Sequence, residues 1–164
     1  MTLKRNLESK IATAFIDTLK VNTDFSTTPI RAWADGSNGK VYPIVLVNVE
    51  PCVNYNADRT LQGDLYNTTV DIACMTYNVD DRNKSIVQNL VGNVRDSLNS
   101  STLLSTLASK TSNVTFYNVI VTGTQSQFDK QNTNIMVLTL DVILKYNAWQ
   151  KHINKKREVH CEFF

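Results

Sequence analysis

The chain predicts an α+β fold in which two helices pack on one face of a mainly antiparallel four-stranded sheet. Three observations lead there. Two segments repeat apolar residues at helical spacing, and four others are β-branched or alternate apolar with polar residues. Their order is helix, strand, strand, helix, strand, strand, which reads as two hairpins each preceded by a helix.

Leu3, Leu7, Ile11, Phe15 and Leu19 recur at every fourth position, with Ala12 and Ala14 beside them. Lys4, Arg5, Glu8, Lys10 and Asp17 fall mostly on the opposite side, as in an amphipathic helix. Residues 21–40 follow as a long connection rich in turn formers, interrupted by Pro29 and Gly36. Residues 41–50, VYPIVLVNVE, are β-branched enough for a buried strand, and Pro43 puts the start of that strand at an edge or outside the ladder. A second polar connection leads to Gly63.

Residues 65–77 read as a long strand. Tyr66, Thr68, Val70, Ile72 and Cys74 share one face, and Asp71 marks the other face as the one away from the core. Ile86, Val87, Leu90, Val91, Val94 and Leu98 then form one stripe of a helix over 81–98. Gly92 inside it marks a close approach to the sheet, since glycine otherwise costs up to about 1 kcal/mol against alanine. A short helical turn is expected around 103–107. Residues 114–122 read as a strand and 123–134 as a polar turn. Residues 135–146 form the last strand, with Met136, Leu138, Leu140, Val142, Leu144 and Tyr146 alternating cleanly. One domain over 1–146 is the economical reading, with 147–164 as a C-terminal extension.

With 164 residues and 42% hydrophobic content, the chain can bury a core without disulfides or metals. A net charge of +2 gives no support for bulk nucleic-acid binding. Charges thread the apolar positions of the first helix, unlike a signal peptide, and no apolar run approaches a membrane span. Cys52, Cys74 and Cys161 are scattered and form no CxxC pair, which argues against a zinc site or a disulfide framework.

Candidate chemistry is sparse. Asp80 and Asp81 stand where a helix begins, and there an aspartate caps free backbone N–H groups and suits the helix dipole. A hard-cation site would need several more oxygen ligands. His152 and His160 both fall in the extension, leaving no histidine in the patterned core to serve as a general base. Cys74 belongs to the apolar strand face, and no GxGxxG or Walker A pattern occurs among the five glycines. No catalytic residue, cofactor site or metal site is therefore expected.

Contact residues are a different matter. Trp33 in the first connection and Trp149 in the extension lie outside the patterned elements, as do Tyr55 and Arg59 in the second connection. Tryptophan, tyrosine and arginine dominate interface energetics. Phe128 and Lys130 in the closing hairpin turn, and the basic run Lys151, Lys155, Lys156 and Arg157, complete the set expected to bind partners.

Taken in order, the YPIVLV strand, the LYNTTVDIACMTY strand, the acidic joint opening DRNKSIVQNLVGNVRDSL and the hairpin ending IMVLTLDVILKY resemble the tail terminator or tail-completion proteins of long-tailed bacteriophages. The resemblance spans residues 1–146 and rests on element order. It implies a structural virion protein: a small α+β subunit forming a six-fold ring that caps the tail tube and meets the head connector. The implied partners are further copies of itself, the tail tube protein, head connector or neck proteins, and the tail sheath. No membrane is implied, nor any nucleic acid beyond DNA passing through the ring. Strand addition at an exposed sheet edge is one physical route to such contacts, with 41–50 as the candidate strand. The alternatives are another neck protein, such as a head-completion or adaptor subunit, and a ferredoxin-like ligand-binding module. A binder of nucleic acid through the basic run ranks behind both.

Overall fold

The structure is a computed structural model that describes residues 6–33, 43–54, 64–77, 81–128 and 133–146. Its helices are α1 (Leu7–Lys20), α2 (Asp81–Leu98) and α3 (Leu103–Ser109), with one 3-10 turn at Thr23–Phe25. Its strands are β1 (Ile30–Ala32), β2 (Ile44–Val49), β3 (Val53–Asn54), β4 (Asp64–Tyr77), β5 (Val114–Phe128) and β6 (Thr133–Tyr146). They form one sheet in the order β1-β2-β4-β6-β5, with β3 paired to β4 beyond the end of β2. All pairings are antiparallel except β1 with β2, so the sheet is mixed.

The helices lie on one face of the sheet. Ile11, Ala14, Phe15 and Leu19 from α1, Val87, Leu90, Val91, Val94 and Leu98 from α2, and Leu103 and Leu107 from α3 form one buried cluster with the sheet. From the strands it takes Val45 and Val47, then Val70, Ile72 and Cys74, then Leu138, Leu140, Val142 and Leu144. Their spacing of two residues puts them all on one face, with every second residue on the other. Phe15 meets Phe116 of β5 edge to face, with ring centroids 6.3 Å apart. The far face holds a smaller cluster of Ile44, Leu46, Ala73 and Met75 at one end, and polar residues such as Asp71 further along.

Local chemistry explains where the helices start and stop. Asn6 caps α1, its side-chain oxygen accepting from the Glu8 backbone N at 3.1 Å. Buried Thr18 returns its hydroxyl to the Ala14 carbonyl at 2.7 Å and so hides no unpaired donor. Asn22 caps the 3-10 turn and donates from Nδ2 to Ser97 Oγ at 2.9 Å, which ties the end of α1 to the last turn of α2. Asn113 enters β5 with φ of 63°, a left-handed conformation that asparagine tolerates better than most residues.

Several expectations need correction. Among the described residues the helices number three, because the turn expected at 103–107 is a helix that buries Leu103 and Leu107. The described residues give the sheet six strands, since β1 and β3 lie in segments that read as connections. Both are too short for periodicity to register, and their pairing partners supply the order. Gly92 marks no close approach, for a Cβ placed there meets nothing within 4 Å. The strand nominated for edge addition, 41–50, is also misassigned: β2 runs between β1 and β4, with Ile44 through Val47 buried. Asp81 opens α2, while Asp80 lies outside the described residues.

The strand read as ending at residue 122 runs to Phe128. Two register shifts against β6 explain the shortfall, one between Phe116 and Asn118 and one between Val121 and Gly123. Each bulge inserts one residue, Tyr117 and Thr122, and reverses the alternation that follows. The residues opposite the helix-facing side of β6 are therefore Val114, Phe116, Val119, Val121, Thr124 and Ser126. Spacings of two and three alternate there, and a search for a period of two loses the strand at the second bulge.

Candidate interaction surface

The described residues offer little reactive chemistry. Burial pushes the Cys74 thiol up to about 12. Cys52, half-buried, is also pushed up to about 12, chiefly by burial and then by the nearby Glu8 carboxylate, against an interaction with the Thr68 side chain that lowers it. A thiol so held is protonated at neutral pH and a poor nucleophile. Cys161, His152 and His160 lie outside the described residues. Among the described residues, no group of three or more His, Cys, Asp or Glu side chains is placed to hold a metal ion, and no helix is long and apolar enough to cross a membrane.

Of the residues expected to bind partners, the structure locates one side chain. Trp33 follows β1 directly and is 51% exposed. Phe128 closes β5, but its side chain is outside the described set, as are Tyr55, Arg59, Lys130, Trp149, Lys151, Lys155, Lys156 and Arg157.

What the sequence reading missed is the edge of the sheet. Among the described residues β5 pairs only with β6 and β1 only with β2, so these strands are the two ends of the sheet. Tyr117, Ile120 and Val121 of β5 are 52%, 50% and 42% exposed. Such residues are normal one at a time but here they are close neighbours on one edge. The whole of β5, VTFYNVIVTGTQSQF, contains no charged residue and no proline, in a chain that is 20% charged. Edge strands ordinarily carry lysine, proline or inward charges that discourage pairing with other chains. This one has only its bulges.

The faces of the edges are set by register. Arg31 pairs with Leu46 and shares its far face, away from the helices. Ile120 pairs with Asp141 of β6 on that same face, in the row next to Thr139, which donates to Asp71 at 2.9 Å. Arg31 and Asp141 are both exposed, and the side chain of neither makes a hydrogen bond or ion pair with another described residue.

No protein-family model matches the chain, and no curated protein matches it. Among solved structures, a chain from the virion of a native gene transfer agent particle superposes with a TM-score of 0.61 at 13% identity. The match covers 87% of this chain and 98% of that one. The likeness is one of fold. It extends to nearly all of the virion chain, whose whole length is therefore an α+β unit of this kind.

Proposed function

We propose that this chain is a structural subunit of a phage-like virion. It closes into an oligomeric ring on the end of a tail tube and joins that tube to the head connector. The observation that carries the reading is the fold shared with almost the full length of a virion chain. The element order of residues 1–146 supports the more specific tail-terminator role by resemblance. A ring subunit needs two different contact surfaces, one for each neighbour. The β1 and β5 edges, at opposite ends of one sheet, are two such surfaces. Further contacts then fall to the tube protein and the neck proteins, with the tail sheath as an additional partner. The reading assigns the chain no catalytic step and no cofactor.

Native mass spectrometry across protein concentration and salt, with negative-stain images of the same samples, tests this. Closed rings with a central hole are expected, six-fold by the resemblance. A closed two-fold dimer would sink the reading, because a two-fold interface uses one surface twice and cannot form a ring by itself.

A further inference from the structure

We infer that neighbouring copies join edge to edge, with β5 of one subunit pairing with β1 of the next and Arg31 of one reaching Asp141 of the other. This rests on the ring reading and names its interface. The two bulges in β5 leave a regular run of four residues, Asn118 to Val121, between them. That run is long enough to pair with all three residues of β1 and carries exposed Ile120 and Val121, with exposed Tyr117 at its border. The remainder of β5 is broken from it by the bulges, so a short partner is what this edge accepts.

Charge and face agree with the pairing. If the sheet continues from one copy to the next, the far faces become continuous. Arg31 then stands one strand beyond Ile120 and two beyond Asp141. With strands about 4.8 Å apart, the two backbones are about 10 Å apart, a span that an arginine and an aspartate side chain close together. The uncharged β5 between them puts no like charge against Arg31 and covers the apolar stem of its side chain. Trp33, exposed immediately after β1, is brought to the apolar residues of β5 in the same contact. Each copy uses its two edges once, so the interface is heterologous, as a ring requires.

Charge reversal on the full chain tests the pairing: Arg31→Glu, Asp141→Arg and the double variant, each checked for folding by circular dichroism and for association by sedimentation and native mass spectrometry. Each single reversal is expected to weaken association about tenfold or more, and the double reversal to restore it to within about threefold of the wild type. A double variant no better than the single ones overturns the pairing. So does a wild-type chain that stays monomeric at about 100 μM, an outcome that also overturns the ring. Closed rings indifferent to every reversal overturn the pairing and leave the ring reading in place. Open filaments that obey the reversals and the rescue do the opposite.

Discussion

Glu8, in the first turn of α1, accepts a hydrogen bond from the backbone N of Cys52 at 2.8 Å, across 44 positions of sequence. The bond holds the break between β2 and β3 against the start of the helix. Thr68 of β4 secures the same break from the other side, donating to the Glu50 carbonyl at 2.6 Å. The register with β4 changes by one residue between Val49 and Val53, and the two bonds hold the chain where the ladder is interrupted. Glu8→Ala is expected to destabilise the fold by about 1–2 kcal/mol, because it leaves a part-buried N–H without its charged acceptor. A lowered urea midpoint at unchanged slope is the measurement.

Alkaline pH is expected to weaken the fold. The Cys74 thiol rises from its ordinary 9.0 to about 12 on folding. A raised folded value means that the native state holds the proton more tightly. The stabilisation is complete below about pH 9 and is lost as pH climbs toward 12. At about 1.4 kcal/mol per unit the loss is on the order of 4 kcal/mol. Cys74→Ala removes this contribution and leaves that of Cys52, so its unfolding free energy should fall less steeply above pH 9 than that of the wild type. Equal slopes for the two chains would refute the assignment.

Gly92→Ala is expected to stabilise the protein by up to about 1 kcal/mol. The added methyl has open space around it and the helix gains a better former. Thermal and urea unfolding should both shift upward, and a loss of stability would mean that the space is filled in solution.

Phe15→Ala is expected to cost about 3–5 kcal/mol. The ring is fully buried and bridges α1 to β5 through Phe116. Phe116→Ala should cost a similar amount. The double variant should cost less than the two added together, because each single change already removes the edge-to-face contact.

The long elements were legible because their residues obey a fixed period. The apolar stripe of residues 81–98 predicts a helix, and α2 covers that span. The face of β4 assigned to the core, Val70, Ile72 and Cys74, is the face that the helices cover. The alternation of β6 holds to Tyr146 without interruption, since it pairs with β4 in constant register. The polar composition of residues 123–128, GTQSQF, carries no burial signal of its own and reads as a turn. They are strand because β6 lies beside them.

The class of fold, the faces that β4 and β6 turn inward, and the absence of charge along 114–128 are all written in the sequence. Those follow from local spacing and composition, which a chain carries wherever its parts end up. Which strand lies at the edge depends on the assembled sheet. Strand order depends on pairings between residues far apart in the chain, and the three residues of β1 suffice to make β2 internal and move the free edge elsewhere. The same distant pairings set Arg31 at the β1 edge and Asp141, one strand in from the β5 edge, on the same face. No local pattern records that relationship, because it is a property of the sheet and not of either strand.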